Sequence, residues 1–296
     1  MLTESKKHGN NIHEFRVVKE HEFFLISDLH WDNPKCDRVK LKKHLDEAVS
    51  RGSTILINGD LFCLMQGKGD KRGSKQDVRP EHQTATYFDS IIQTAVEWFK
   101  PYAKHIGMIG YGNHETTIIK YGETDVLQRF VDLLNMTCGS SVQTGGYGGF
   151  ITIRMFRSND NKASMPFNLH YYHGFGGGGV VTKGVIQNNR ISTFIRGVDC
   201  IWQGHVHEYY HHVDMVSEFK YNPGKKEYQI QQNQLHHLRT PCYKEEYQDG
   251  SKGWHVMKGA PPKPIGGCFL KIKYERDRSN GDTIDFLTTK FESYLD

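Results

Sequence analysis

Short apolar runs alternating with segments of helical period predict an α/β protein organised around β-sheet. Two features carry that expectation. Through the first two-thirds of the chain, runs rich in β-branched and aromatic residues are separated by amphipathic stretches. Most of these runs also stop at a cluster of Gly, Asn, Asp or His, the residue types that turn a chain.

The elements follow in order. Phe23–Ser27 reads as a first strand. Val39–Ser50 places Val39, Leu45, Ala48 and Val49 at helical spacing, with Gly52 as its stop. Thr54–Asn58 is a β-branched strand, and Thr84–Phe99 a helix with Tyr87, Phe88, Ile91, Ile92, Ala95 and Phe99 on one face. His105–Ile109 is a third strand and Thr124–Leu134 a third helix. Gly149–Phe156 and Phe167–Tyr172 alternate as strands should. A glycine-rich turn, Gly174–Gly179, leads to a helix over Lys183–Ile195, and Asp199–Gln203 is the next strand. From about Glu208 onward strands dominate, at Gln234–Thr240, Gly267–Tyr274 and Thr283–Phe291, interrupted by Pro261, Pro262 and Pro264. There is no repeat and no linker, so one domain over residues 1–296 is expected, with the C-terminal strands completing it.

A chain of 296 residues can bury a large core. No apolar run approaches the ~18 residues of a membrane-spanning helix, and Met1–His13 is polar, without the apolar stretch of a signal peptide. A cytoplasmic protein with no membrane partner is therefore expected. The six cysteines (Cys36, Cys63, Cys138, Cys200, Cys242 and Cys268) form no CxxC pair, which argues for reduced thiols. Net charge is a modest +4. It is concentrated in an insertion at about residues 64–83, where Lys68, Lys71, Arg72, Lys75 and Arg79 stand against Asp70 and Asp77. Such a loop attracts phosphate, or is simply solvated.

Histidine is abundant, at 17 residues, and five short motifs use much of it: Ser27-Asp28-Leu29-His30, Asn58-Gly59-Asp60, Gly112-Asn113-His114-Glu115, His173-Gly174 and Gly204-His205-Val206-His207. Each follows an apolar run, at the C-terminal end where open α/β sheets place their sites. If the strands continue through them, Asp28 and His30 point to one side, as do His205 and His207. Asp60, alone in its turn, can bridge two cations with its two oxygens. Mixed oxygen and nitrogen donors suit manganese, iron, zinc or nickel better than calcium or magnesium. His170 lies inside a strand and is a weaker candidate than His173. His211, His212, His236 and His237 fall outside the motifs.

In order and content the series resembles the calcineurin-like metallophosphoesterase superfamily, whose pattern runs DxH, GD, GNH[DE], H and GHxH. The resemblance spans roughly residues 22–208. It implies an αββα four-layer sandwich. It also implies two divalent metal ions, manganese by preference: Asp28, His30, Asp60 and His207 hold the first, and Asp60, Asn113, His173 and His205 the second. His114 would meet the phosphate and protonate the leaving group, while a hydroxide bridging the ions attacks phosphorus. The second motif continues as Leu61-Phe62-Cys63 and lacks the Asp-Arg-Gly of the protein serine/threonine phosphatase branch. Gly-His-x-His favours instead the branch of bacterial and phage phosphodiesterases and DNA-repair exonucleases.

The expected activity is therefore metal-dependent hydrolysis of a phosphodiester, in a nucleotide or nucleic acid. A phosphomonoesterase on a small molecule or nucleotide is the alternative, and a non-catalytic metal-binding scaffold a third reading. Arg79 is the candidate substrate contact from the insertion, with Lys183 and Arg190 as weaker ones; Trp31 and Tyr147 are candidate stacking residues for bases.

Overall fold

Successive side chains of strand β3 (Glu20–Ile26) enter two different cores. Phe23 and Leu25 face one, Phe24 and Ile26 the other, and all four are fully buried. A strand apolar on both faces has to be covered on both, and that requirement sets the layering. The computed structural model of the protein describes residues 2–9, 11–65, 73–159, 163–179, 181–224, 226–247, 254–257, 259–279 and 282–296. Lys68, Asp70, Lys71 and Arg72 of the basic insertion lie outside them.

Among the described residues there are thirteen strands and six α-helices. In chain order they are β1 (Leu2–Lys7), β2 (Ile12–Val18), β3, α1 (Arg38–Ser50), β4 (Thr54–Ile57), α2 (Tyr87–Phe99), β5 (Ile106–Ile109), α3 (Asn113–Gly122), α4 (Val126–Cys138), β6 (Gln143–Thr144), β7 (Gly148–Phe156), β8 (Ser164–Tyr172), α5 (Val185–Ser192), β9 (Cys200–Gln203), β10 (Tyr210–Asn222), β11 (Glu227–Arg239), α6 (Trp254–Met257), β12 (Gly266–Ser279) and β13 (Asp282–Leu295). They form two mixed sheets, one of order β13-β12-β3-β4-β5-β6 and one of order β1-β2-β7-β8-β9-β11-β10.

Between the sheets lies a core that joins Phe23, Leu25, Leu56, Met108 and Leu270 of the first to Phe15, Ile153, Leu169, Trp202 and Leu238 of the second. The opposite face of the six-stranded sheet packs Phe24, Ile26, Ile55, Ile57 and Ile109 against Leu41 and Leu45 of α1, Ile91 and Ala95 of α2, and Phe130 and Leu134 of α4. On the outer side of the seven-stranded sheet, α5 is tied down by Arg239, whose guanidinium donates to the Gly184 carbonyl (3.2 Å) and Asn188 Oδ1 (3.0 Å). The mixed α/β class is the one the sequence predicts. The C-terminal strands extend both sheets, since β12 pairs antiparallel with β3 and β11 parallel with β9.

Three departures from the sequence reading have physical causes. First, the third motif opens a helix, α3, that the sequence reading did not include; at its start the Glu115 carboxylate returns to accept from the Gly112 N–H (2.9 Å), the half of a capping box that a glycine N-cap allows. Second, β1 and β2 were not expected; in β2 the buried positions are His13, Phe15 and Val17, one of them polar, and the apolar Ile12 is exposed, so the sequence lacks a clean apolar alternation. Third, β10 is largely solvent-exposed and carries no clean burial alternation to read. The six cysteines are free thiols. No helix among the described residues is long and apolar enough to cross a membrane.

Burial lowers the pKa of His21 and His170 to about 4. The unfolded chain takes up these protons near pH 6.5 and the folded one only near 4, so the unfolded state binds more protons in between. Stability should therefore fall as pH drops through that window. The urea midpoint of the chelator-treated protein is expected to be lower at pH 5 than at pH 7, and His170→Phe should shrink the difference. An unchanged midpoint would contradict this assignment.

Candidate metal centre

Each of the five motifs begins within a few residues of a strand end: β3 at Ile26, β4 at Ile57, β5 at Ile109, β8 at Tyr172 and β9 at Gln203. Because β3, β4 and β5 run parallel, as do β8 and β9, the chain leaves both sheets on one side and the motifs converge there. The strands do not continue through them. Asp28 (φ 54°), His30 (46°), Asp60 (50°), His205 (68°) and His207 (60°) are all left-handed. Convergence of Asp28 with His30, and of His205 with His207, thus arises from alternating left-handed turns and not from strand pleating, which corrects the reading by strand period. Left-handed backbone in a non-glycine residue costs about 1–3 kcal/mol and gathers at functional sites.

Two donor groups result, Asp28 with His30 and His207, and Asp60 with His173 and His205, each with its ligand atoms within 4.8 Å of one another. In the first, His207 Nε2 stands 3.4 Å from Asp28 Oδ1 and 3.4 Å from His30 Nε2. In the second, His173 Nε2 is 3.2 Å from Asp60 Oδ2 and 3.3 Å from Asn113 Oδ1. Asp60 also reaches the first group, with Oδ2 3.9 Å from His30 Nε2. His114 lies between them, its Nε2 3.9 Å from Asp60 Oδ2. All eight residues singled out from the motifs are therefore neighbours in space.

The donors are oriented by their surroundings. The Nδ1–H of His173 donates to the Asn58 carbonyl (2.8 Å) and that of His114 to the Cys63 carbonyl (2.5 Å), which turns each Nε2 toward the centre. Asp28 Oδ2 accepts from the His205 N–H (2.9 Å) and Asp60 Oδ1 from the His114 N–H (3.0 Å). Asp28 Oδ1 is buried with no hydrogen-bond donor. A buried carboxylate oxygen left open among imidazole nitrogens is a fit for a cation and a costly arrangement without one.

Electrostatics agree. Burial alone would raise the Asp60 carboxyl, but the His173 and His114 rings beside it hold it well below the usual range. Burial likewise opposes protonation of His173, yet Asp60 and Asp28 push it up to about 9. His205 is lowered to about 4 and His30 well below its usual value, both chiefly by burial. The first two carboxylates thus draw a positive charge to themselves, which a divalent ion would replace.

Several participants were not anticipated from sequence. Glu115 accepts from Gly112 N (2.9 Å), Phe62 N (3.0 Å) and Asp60 N (3.2 Å), locking the second motif to the third; burial and the adjacent Asp60 push it up to about 8. Asp32 binds the Leu64 N–H at 2.9 Å and the Cys63 N–H. His255 packs its ring against His207, centroids 5.2 Å apart, with Nδ1 3.0 Å from Glu246. Only Glu115 had a sequence signal, three residues beyond Gly112 at the capping-box position.

Other candidates are placed differently. Trp31 is 1% exposed, enclosed by Phe62, Trp98 and Phe99 with the Arg38 guanidinium over its ring, so it is core and no stacking platform. Arg79 donates to the Cys36 carbonyl at 3.0 Å. Tyr147 lies beside the site, its hydroxyl donating to the Gly174 carbonyl (2.7 Å) and its ring 5.5 Å from that of His173. Lys183 and Arg190 are exposed. Cys63 is buried within reach of His30 and His114, and burial pushes its thiol far up.

No family model and no curated protein matches the chain. Among solved structures, vacuolar protein sorting 29 from Cryptosporidium parvum is similar over 93% of this chain and 100% of that one, at 13% identity and a TM-score of 0.32. Likeness of that order assigns neither fold nor function.

Two outcomes check this geometry. Because metal ligation requires neutral imidazole and His173 titrates near 9, Mn²⁺ binding at pH 7 should release a proton and tighten as pH rises toward 9. Calorimetry in buffers of different ionisation enthalpy reads this directly. A Cβ on Gly112 would collide with the Asp60 carboxylate and backbone, so Gly112→Ala is expected to weaken Mn²⁺ binding by about 10–100-fold, the range for disturbed ligand support.

Proposed function

We propose that this protein is a metal-dependent phosphoesterase that hydrolyses a phosphodiester, with the four-layer αββα arrangement and the two-ion site implied by its motifs. The observation that carries the reading is the placement of Asp60. Its Oδ2 lies 3.2 Å from His173 of one donor group and 3.9 Å from His30 of the other, the position of a carboxylate shared by two cations.

Asp28, His30, Asp60 and His207 would hold one ion, and Asp60, Asn113, His173 and His205 the other, with manganese, iron, zinc or nickel suited to this donor set. Bound there, the ions supply charge neutralisation at the phosphoryl oxygens and a water acidic enough to act as nucleophile near neutral pH. The protein's own residues do the rest. His114, fixed through Nδ1 by the Cys63 carbonyl, presents Nε2 to the ester and donates a proton to the departing oxygen. Asn113 contributes a neutral oxygen, so that the site's negative charge stays low enough to admit an anionic phosphate. Glu115 and Asp32 hold the loop over residues 60–64 by its backbone N–H groups, which keeps Asp60 in register.

The test is hydrolysis of bis-p-nitrophenyl phosphate and p-nitrophenyl phosphate with added Mn²⁺. The expected result is turnover of the diester in preference to the monoester, abolished by EDTA and in Asp60→Asn. His114→Asn should lower kcat by about 10²–10⁴-fold, the range for a general acid, while bound metal is unchanged. Preference for the monoester would replace the diester reading. Metal binding without turnover of either ester would leave a metal-binding scaffold as the function.

A further inference from the structure

Strand β10 closes one edge of the seven-stranded sheet, and no strand pairs with its outer side among the described residues. Its inner neighbour β11 is itself supported by β9 only over His236–Arg239. Beyond that point Asp214–Asn222 and Glu227–Leu235 form a two-stranded ribbon, paired with each other and with nothing else in the sheet. Isolated ribbons of this kind are marginal in water, and long exposed edges are strand-pairing templates.

The ribbon is also apolar where solvent meets it. Alternation places Val213, Met215, Phe219 and Tyr221 on one face, and the register brings Ile230 opposite Phe219 and Tyr228 opposite Tyr221. Phe219 is 74% exposed, Ile230 72%, Tyr228 68% and Met215 61%. The Phe219 and Tyr228 rings stack at 5.1 Å, nearly parallel. Phe219, Tyr221, Tyr228 and Ile230 form an exposed apolar group, set apart from Met215 by Ser217 and Gln232, and exposed apolar groups mark interaction surfaces.

We propose that the occupant of this edge is a second copy of the same chain, its β10 antiparallel to the first and centred on Ser217. Charge complementarity along the strand argues for this partner, and like charges opposed disfavour the registers centred on Val216 and Glu218. With the two-fold axis at Ser217, Asp214 of each copy faces Lys220 of the other, Met215 faces Phe219, and Val213 faces Tyr221, so apolar meets apolar on one face, while on the other Asp214 and Lys220 meet as opposite charges and Glu218 stands beside Val216. Centred on Val216, Asp214 would face Glu218; centred on Glu218, two copies of that carboxylate would face each other. Within one chain Asp214 contacts His212 (2.9 Å) at the surface and the buried His237 (3.1 Å), and Lys220 contacts Glu218 (2.5 Å). Pairing joins β11-β10 of both copies into one four-stranded ribbon and gives both edges a partner. The interface is isologous, as closed two-fold dimers require. Since β11 runs parallel to β9, whose C-terminal end carries His205, the ribbon leaves the molecule on the side away from the metal centre. The dimer therefore leaves the site open, and this proposal does not rest on the catalytic reading.

Sedimentation velocity of the full chain is the test, with variants checked for folding by circular dichroism. A dimer with a dissociation constant of about 10 μM or tighter is expected. Lys220→Asp should weaken it at least tenfold, and adding Asp214→Lys to that variant should restore it. Residues opposed across a two-fold axis lie about 4.5–5.5 Å apart at Cα, within disulfide range. Under copper-phenanthroline oxidation Ser217→Cys should therefore cross-link chain to chain, whereas Met215→Cys, whose counterpart in the second copy faces Phe219, should not. A monomer up to about 100 μM, a dimer indifferent to Lys220→Asp, or equal cross-linking of the two cysteine variants would overturn the proposal.

Discussion

Two carboxylates, Asp28 and Asp60, sit almost wholly out of water at the junction of the two sheets, 0% and 2% exposed. Removing an ion from water costs several kcal/mol even after the protein relaxes. What surrounds these two groups is best understood as compensation for that cost. Backbone N–H groups of His205 and His114 take one oxygen of each, imidazoles crowd the others, and Asp28 Oδ1 is left without a donor. The glycines of the motifs follow from the same crowding. A Cβ on Gly204 would stand 2.5 Å from Asp28 Oδ2, and one on Gly59 2.5 Å from His173 Nδ1.

The scaffold explains how such a cluster stays in place. β3, β4 and β9 are covered on both faces, so their ends are stiff. From these ends the chain enters left-handed backbone at five of the donor residues, and the strain persists because neighbouring loops over-determine it. Asp28 N bonds the Gly59 carbonyl, His30 N that of Asp60, and Tyr243 N that of Asp28, each at 3.0 Å. Glu115 and Asp32 add side-chain clamps from outside the donor set. The result is a rigid pole with chemistry at one end of the sheets and a long exposed ribbon leaving toward the other.

The sequence by itself determined much of this. Strands at Phe23, Thr54, His105 and Cys200 were legible because a strand buried on both faces needs an unbroken apolar run. Helices α2 and α4 were legible from their single apolar stripes. Helix α1 was legible as a helix, but its buried face is Leu41, His44, Leu45 and Ala48. Val39, counted on the apolar face from sequence, is 81% exposed because the His44 ring takes a core position. The donor residues could be named because five histidine- and aspartate-bearing motifs each follow a strand end, an arrangement that one motif alone would not specify. The α/β class, and which histidines and aspartates stand at strand ends, therefore live in local pattern.

Tertiary structure decided the rest. Trp31 looked available to a base and is core, since burial depends on what α2 brings over it and not on its own neighbours in sequence. The pairing of Asp28 with His30 was expected from strand pleating, but the backbone conformation that produces it is enforced by contacts from Gly59, Asp60 and Tyr243. His255, held by Glu246, reaches His207 across a sequence gap that no periodicity spans. The N-terminal strands and β10 escaped because their partners, not their composition, make them strands. Pattern reports what a residue can do along its own element; distance, burial and charge between elements are set only when the chain closes on itself.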